Sequence, residues 1–338
     1  MLNYKEIFEE LAVTTATGAT THQELNFGEL LEPKLRKLFY ETYDEVPEQF
    51  SKIYHMNTSK KAKETDYGMG AMTAWNEFGS STTAVTGATT MPSVEYVTIP
   101  AGLERTYVHK EFARGFMVER KFADDEQYGV IEKMPKDLAR AGRYQVEGNA
   151  ISILNNAFSK DVGGAGKSAI YDAKSLIAAD HPILNATATT AFGTGICSNL
   201  ITGALSDTTI KQALTMGRRQ CDEAGKLIQM NFDTLIVPPD LEFLAMELIK
   251  SSQKVGTTDN DINSIQGRLK IVVMDFLTDS DAWFIQDSKR HGLNFFWRVK
   301  PEFDRDKDFD TLCSKYKGYM RYSYGCSDFR GLIGSTGA

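Results

Sequence analysis

Two segments contain residues whose types and spacing resemble ligand-binding loops. GGAGKS, residues 163–168, ends like a phosphate loop, but Asp161 stands where the first glycine is required and a helical pattern precedes it. DNDIN, residues 259–263, begins like a calcium loop, but Ser264 replaces the required glycine and Lys270 the bidentate glutamate. We interpret the first as a flexible turn and the second as a solvated loop, and we predict no metal or cofactor.

A histidine beside an aspartate could act as a general base, and Asp180 and His181 form such a pair in the segment ADHP. Adjacent loop residues do not make a catalytic triad, and the chain contains no G-x-S-x-G nucleophile motif. A cytoplasmic hydrolase that uses His181 is therefore a remote alternative. We predict that the chain is not an enzyme and has no catalytic residue.

Four cysteines are scattered along the chain without a C-x-x-C pair: Cys197, Cys221, Cys313 and Cys326. Zinc sites usually show paired cysteines or histidines at short spacing, so zinc is not indicated. Free thiols in a reducing cytoplasm are the favoured interpretation, and a disulfide is left open.

Charged side chains gather on one flank of a long predicted helix. Lys136, Arg140, Arg143 and Glu147 are spaced three and four residues apart, so they share one side of that helix, and this side is predominantly basic. A helix face that is solvated, or that forms salt bridges with a neighbouring subunit, explains the pattern without any ligand. Contact with nucleic-acid phosphates is the functional alternative.

The helix that carries these charges is the main structural element of the sequence. Pro135 suits a first helical position and disfavours helix at Met134, which predicts a helix over residues 135–158. Its predicted buried stripe lies within an arc of about 120° and consists of Leu138, Gly142, Val146, Ala150, Ile153 and Ala157. At 1.5 Å per residue the helix would be roughly 36 Å long, which favours a role in bracing an extended structure.

Composition bounds the class of protein. With 338 residues, 42% hydrophobic and 25% charged, the chain can fold around a sizeable core as two lobes or as one lobe with large excursions. A net charge of −7 argues against nucleic-acid or anionic-membrane binding as the main activity. Because no stretch of 18 apolar residues occurs and the N-terminal sequence is acidic, neither membrane insertion nor secretion is indicated.

The N-terminal third is interpreted as an arm followed by a long loop. Residues 1–55 contain two amphipathic helical patterns, around residues 4–11 and 29–43, but too little apolar sequence for a core, so they should pack on something else, such as a neighbouring subunit. Residues 94–99 and 105–112 have strand patterns.

The Gly-, Ser- and Thr-rich stretch between residues 75 and 92 is the predicted tip of the long loop, and long excursions of this kind are usually functional. Four apolar residues lie on or beside it: Trp75, Phe78, Val85 and Met91. They could pack within the hairpin. We prefer the hypothesis that they anchor the loop on a neighbouring subunit, because exposed apolar groups otherwise invite aggregation.

The second half of the chain mixes helices and strands. Ser206 or Asp207 could cap the start of a helix that Gly225 ends. Strands are predicted at TLIV, KIVVMDFL, AWFIQD and LNFFWRV, with a helix after the two prolines that follow TLIV. An aromatic-rich final strand is predicted from Cys313 onward, and the terminal GSTGA is interpreted as a loose end.

This ordered series resembles the major capsid proteins of tailed bacteriophages, which have the Hong Kong 97-like fold. The segments that carry the resemblance are MVERKFADD, AISILNNAF, ADHP, LIVPPDLEFLAMELI, VVMDFLTDSDAWFI and RYSYGCSDFRGLIGS. Any one of them is weak, whereas their shared order and spacing are specific. Since no scaffolding segment precedes the arm, we expect no proteolytic maturation of this subunit.

The resemblance implies an α+β chain in five parts. These are an N-terminal arm at residues 1–55, an extended β-hairpin loop at 56–115, a peripheral domain with the long spine helix at 116–166, a mixed α/β axial domain at 167–299, and a return to the peripheral domain at 300–338. In such a fold, segments with too little apolar surface to fold alone bury that surface against neighbouring subunits.

The resemblance also implies a function. The chain would assemble in the bacterial host cytoplasm into pentamers and hexamers of an icosahedral shell that encloses double-stranded DNA, as part of the virion capsid. Implied partners are copies of itself, a portal protein, scaffolding and decoration proteins, and packaged DNA through nonspecific contacts, with no membrane. Lys136, Arg140 and Arg143 would then line the lumen.

Two further points follow from the resemblance. An encapsulin-type nanocompartment shell, which shares the fold but encloses an enzyme cargo, is the main alternative.

Some relatives carry a covalent lysine–asparagine link between subunits, but no matching site is found here, and Lys60, Lys61 and Lys63 are interpreted as solvated.

Overall fold

The computed structural model describes residues 27–68, 70, 104–125, 129–159, 170, 172, 174–253, 262–308 and 313–337. Several predicted features lie outside these residues: the first helical pattern, the strand at 94–99, the GGAGKS segment, and the four apolar loop residues Trp75, Phe78, Val85 and Met91.

The described part of the chain contains both helices and strands, which confirms the predicted α+β class. The helices are α1 (Phe27–Glu45), α2 (Arg120–Asp124), α3 (Val130–Asn155), α4 (Asp207–Arg218) and α5 (Glu242–Lys250), with 3₁₀ turns at Phe50–Lys52 and Pro239–Leu241. The strands are β1 (His55–Thr58), β2 (Lys63–Tyr67), β3 (Glu104–Val108), β4 (Lys110–Glu119), β5 (His181–Pro182), β6 (Thr189–Thr190), β7 (Gly193–Thr194), β8 (Ile196–Cys197), β9 (Leu200–Ile201), β10 (Thr234–Val237), β11 (Lys270–Val273), β12 (Trp283–Gln286), β13 (Leu293–Asp308), β14 (Cys313–Cys326) and β15 (Leu332–Ser335).

Two larger sheets organise these strands. The first has the order β1-β13-β14-β4, in which β1 runs parallel to β13 and the other pairs are antiparallel. The second has the order β11-β10-β12-β15-β9 and mixes parallel and antiparallel pairs. Pairs β2-β3, β5-β8 and β6-β7 form small two-stranded sheets. The first sheet is dominated by long strands, and α3, the spine helix, packs across it.

The spine helix begins earlier than the sequence predicts. It starts at Val130, after Gly129 in the left-handed conformation at φ 64°, and Pro135 lies inside the helix. An internal proline loses one backbone hydrogen bond and crowds the preceding turn. Here Ile131 and Pro135 are both buried, and we attribute the continued helix to their packing. The predicted start at Pro135 and the exclusion of Met134 from the helix are therefore wrong.

Part of the predicted arm, residues 35–43 of α1, packs on its own subunit. Leu35, Phe39 and Tyr43 are buried on one face of α1 and join a cluster with Ile131 and Ala139 of the spine helix. The apolar face of α1, which has too few apolar residues to form a core by itself, is therefore buried against other segments of the same chain.

Helix α4 has the start that the sequence predicts but a different end. The Ser206 hydroxyl accepts a hydrogen bond from the Thr209 N–H at 3.2 Å, and the Thr209 hydroxyl accepts one from the Ser206 N–H at 3.0 Å, which makes a reciprocal cap. The helix ends at Arg218. Gly225, predicted to end it, lies in a later turn at φ 81°.

The prediction that the strand after Cys313 is the final one is wrong, because β15 follows β14. Gly334 and Ser335, interpreted as part of a loose end, belong to β15, which lies between β12 and β9. A side chain at Gly334 would place its Cβ 2.7 Å from the Phe284 ring. The glycine that suggests a loop in the sequence is needed here for close packing inside a sheet.

The described helices and side chains bear on membrane insertion and on metal binding. None of the helices in the ranges given above combines the length and apolar character needed to cross a bilayer. Those same ranges hold no cluster of three or more histidine, cysteine, aspartate or glutamate side chains arranged to bind a metal ion.

Candidate assembly and nucleic-acid-facing surfaces

The predicted basic flank of the spine helix divides into exposed and buried residues. Arg140 is exposed and Lys136 is half-buried, whereas Arg143 is only 6% exposed. Glu147, on the same flank, is 1% exposed. The prediction of a charged surface is therefore wrong for Arg143 and Glu147. The hypothesis that this flank contacts DNA remains a prediction, and Lys136 and Arg140 are the residues with side chains available for it.

Arg143 is held by the segment that follows α1. Its Nη2 atom donates to Glu48 Oε2 at 2.9 Å, and its guanidinium lies 5.0 Å from the centre of the Tyr43 ring. These contacts neutralise the buried charge and shield it from water. Burial raises the pKa of Tyr43 above its ordinary value, although Arg143 acts in the opposite direction.

Glu147 caps the 3₁₀ turn at Phe50–Lys52. Its two carboxylate oxygens accept hydrogen bonds from the Gln49 N–H at 2.9 Å and the Phe50 N–H at 3.0 Å. Burial raises the pKa of Glu147, while the two N–H groups and Arg143 lower it. Sequence patterns gave no sign of this role, because the bonded groups lie nearly a hundred positions away.

Tyr54 adds a further contact from this segment. It donates its hydroxyl proton to the Ala150 carbonyl oxygen at 2.7 Å, deep in the core. Residues 48–54 are thus fixed along the spine helix by three side chains, and we call these contacts the arm clamp. The clamp connects α1 to the first strand of the long sheet.

The long sheet separates two surfaces of the subunit. Tyr316 and Met320 of β14 are buried on the face that α1 and the spine helix cover, and a side chain at Gly318 would stand 3.5 Å from Leu138. Lys317 alternates with these residues and is exposed on the opposite face. Arg140 and Lys317 therefore mark opposite sides of the same sheet.

Large apolar side chains are exposed at several places, two of which concern assembly. In the lobe built on the five-stranded sheet, Phe243 is 74% exposed and Ile262 is 86% exposed. Near the base of the predicted loop, Val108 is 65% exposed and Met117 is 66% exposed. Exposed apolar groups of this size commonly mark surfaces that another protein covers.

The geometry around His181 argues against a role in hydrolysis. His181 is fully buried; its Nδ1 atom lies 2.6 Å from Asp172 Oδ2 and its Nε2 atom 3.1 Å from Asn199 Oδ1. Both ring nitrogens are occupied, and the ring stacks on Phe329 at 3.7 Å. Asp180 instead makes an exposed contact with Lys174. The histidine is a structural member of the core.

A second set of buried polar residues lies beside this histidine. Arg330 is 0% exposed and donates from Nη2 to Glu223 Oε1 at 2.7 Å, from Nη1 to Asp328, and from Nε to the Cys221 carbonyl at 2.7 Å. Asn199 donates to three carbonyl oxygens, those of Leu176, Phe329 and Leu332. This buried polar network ties β15 and the residues just before it to the segments around Leu176, Asn199 and Glu223. No motif in the sequence indicated it.

Of the two segments predicted to be solvated, one is exposed and the other contains a buried residue. Lys60, Lys61 and Lys63 are exposed, as expected. Asn263, at the end of the DNDIN segment, is buried and donates to the Leu248 carbonyl at 2.7 Å and the Ser251 carbonyl at 2.9 Å. Asn263 is therefore no solvated loop residue, because it binds the last turn of α5.

Comparison with known proteins gives a family assignment. The family model described as phage capsid protein matches residues 102–335. This match covers more than half of the chain, so the chain belongs to the phage capsid protein family. It is a structural component of the virion capsid.

Solved structures resemble the chain only distantly. A chain from Microbacterium phage Oxtober96 is 11% identical, with 97% of each chain covered and a TM-score of 0.49. The capsid of an empty GTA particle is 12% identical, with 99% of each chain covered and a TM-score of 0.49. A virus-like particle from Pyrococcus furiosus is 8% identical, with 90% of this chain and 98% of that chain covered and a TM-score of 0.48. No curated protein matches the sequence significantly.

Proposed function

We propose that this chain is the major capsid protein of a tailed double-stranded DNA phage, with a Hong Kong 97-like arrangement of spine helix, long sheet and mixed axial lobe. Copies of it assemble into pentamers and hexamers of an icosahedral shell that encloses the genome. The family match over residues 102–335 carries the proposal.

The surfaces of the subunit support self-assembly. An apolar side chain such as Phe243, 74% exposed on a helix, gains stability when a neighbouring copy removes it from water. Many modest contacts of this kind, repeated by symmetry, hold a closed shell together. The apolar residues of the 75–92 tip, Trp75, Phe78, Val85 and Met91, are proposed as additional anchors on a neighbour.

Electron microscopy of the protein expressed alone and with its neighbouring genes tests the proposal. We expect closed shells with fivefold vertices, and DNA inside them when packaging proteins are present. Particles filled with an enzyme cargo would instead identify a nanocompartment shell. A soluble monomer under all these conditions would refute both assignments.

Deletion of residues 76–91 tests the anchoring role of the tip. The shortened subunit should stay soluble and folded but assemble few or no shells, because the contacts with neighbours are lost. Circular dichroism of the same sample shows whether the shortened subunit is folded, so a loss of assembly can be separated from a loss of folding. Normal shells with unchanged heat resistance would contradict the anchoring role.

A further inference from the structure

Two of the four cysteines approach each other inside the axial lobe. The sulfur atoms of Cys197 and Cys221 lie 2.8 Å apart, and the two residues are 0% and 1% exposed. Cys197 lies in β8, and Cys221 follows α4 and forms an isolated bridge with Leu227. Residues 24 positions apart are thus brought together by the fold.

The surroundings distinguish the two thiols. The Cys221 thiol donates to the Cys197 sulfur, and the Cys197 thiol donates to Gln220 Oε1 at 3.2 Å. The bond from Cys221 lowers the pKa of Cys197, against the effect of burial, and the nearby Arg330 lowers it further. The bond to Cys197 and burial raise the pKa of Cys221. Cys197 is the thiol that ionises first and reacts first.

We propose that Cys197 and Cys221 form an intramolecular disulfide when the folded chain meets a peroxide oxidant. The Cys197 thiolate attacks one oxygen of hydrogen peroxide, the O–O bond breaks, and hydroxide leaves, which produces a sulfenic acid. The Cys221 sulfur then attacks the Cys197 sulfur, the S–O bond breaks, and the hydroxyl group leaves with the Cys221 proton as water. In sum, two thiols and one hydrogen peroxide give one disulfide and two waters.

The geometry favours this product over others. The sulfur atoms need to move closer by only about 0.8 Å to reach bonding distance. Cys313 and Cys326 lie at opposite ends of β14, roughly 43 Å apart at 3.3 Å per residue, and cannot pair with each other. Burial also discriminates between oxidants, because hydrogen peroxide needs a smaller opening of the fold to reach the pair than a bulky disulfide reagent does.

The bond would close a loop over residues 197–221, which contains β9 and α4. A covalent closure of this length restricts the unfolded chain and stabilises the folded one. Arg330 already ties the Cys221 carbonyl to the buried polar network. The oxidised lobe is therefore expected to unfold at a melting temperature higher by about 4–8 °C.

The test uses the full-length reduced chain, treated with a small excess of hydrogen peroxide under native conditions. After denaturation, alkylation and proteolysis, mass spectrometry should find the two peptides joined with the loss of two hydrogens. Oxidised glutathione should produce the same bond much more slowly. Equal rates for the two oxidants would show reaction through unfolding and would overturn the native-state proposal.

Single variants provide the matched controls. Cys197→Ser and Cys221→Ser should abolish the cross-link and the rise in melting temperature, whereas Cys313→Ser and Cys326→Ser should retain both. If a variant fails to fold, the peptide analysis of the unaltered chain still decides the question. Recovery of both thiols in alkylated form after peroxide treatment would refute the proposal.

Discussion

The buried carboxylate of Glu147 shows how single residues connect distant segments of this chain. Its two oxygens accept the N–H groups of Gln49 and Phe50, and the neighbouring Arg143 pairs with Glu48. Burying a charge is unfavourable unless hydrogen bonds compensate for it, and here each oxygen has a donor. The arm clamp therefore depends on the complete carboxylate.

Glu147→Gln tests this dependence. The glutamine offers one acceptor oxygen and presents an amide to the second N–H group, so one backbone donor stays unsatisfied. We expect a loss of about 1–3 kcal/mol in the free energy of unfolding, measured by urea denaturation. Glu132→Gln on the same helix is the control, because the Glu132 side chain is 44% exposed and its ion pair with Lys34 contributes little. Equal effects of the two variants would contradict the clamp.

His291 makes the fold sensitive to acid. Burial, together with the stacked His55 ring at 3.8 Å, lowers its pKa from 6.5 to about 3, so the folded chain keeps it neutral. The unfolded chain binds this proton below pH 6.5. Stability from this residue is therefore complete above that pH and is lost as the pH falls toward 3, at up to about 1.4 kcal/mol per pH unit.

His291→Asn should reduce this pH dependence. The asparagine oxygen can still accept the Leu293 N–H bond that His291 Nδ1 receives at 3.2 Å, but it does not titrate. Urea midpoints measured between pH 7 and pH 4 should fall less steeply for the variant than for the unaltered chain. Parallel curves would show that another group controls the acid response.

At the scale of helices and strands, packing decides which local preferences survive. Pro135 lies within the spine helix although it interrupts the backbone bonding. Gly334 lies in an inner strand although glycine favours loops. Pro135 is buried and Gly334 lies against the Phe284 ring, so burial outweighs the local preference in both places.

Two helical glycines give a prediction at this scale. A Cβ at Gly148 of the spine helix meets nothing within 4 Å, whereas a Cβ at Gly217 of α4 would lie 2.3 Å from the Phe232 ring. Gly148→Ala should stabilise the chain by about 1 kcal/mol through helix propensity. Gly217→Ala should destabilise it by about 1–3 kcal/mol through overpacking. Thermal unfolding of both variants measures this, and effects of the same sign would contradict it.

At the scale of the whole molecule, the long sheet gives the subunit two separate surfaces. Arg140 is exposed on the side of the spine helix, and Lys317 is exposed on the other side. In a closed shell only one of these sides can face the interior. The proposal for Lys136 and Arg140 places the spine helix toward the packaged DNA.

Charge reversal on each side tests this orientation. The double variant Lys136→Glu and Arg140→Glu should weaken nonspecific phosphate contact, so that DNA is released at a lower salt concentration. Lys317→Glu, on the opposite face, should leave retention unchanged. DNA retained after a salt challenge is measured for particles of each kind. Loss of retention in the Lys317 variant alone would reverse the orientation.

The local pattern of the sequence was sufficient for part of the structure. A start of α4 at Ser206 or Asp207 and the strands at Thr234–Val237 and Cys313–Cys326 follow from short-range signals, because capping groups and apolar runs act on their own neighbours. The ordered segments together also pointed to a capsid protein, and the family match agrees.

Only the tertiary structure decided which charges are buried and which glycines lie in sheets. Arg143 and Glu147 have a helical spacing identical to that of a solvated face, and what buries them is a segment about 95 positions earlier in the chain. Cys197 and Cys221 likewise meet through the fold. A sequence records spacing along one element, whereas burial depends on what a distant element brings against it.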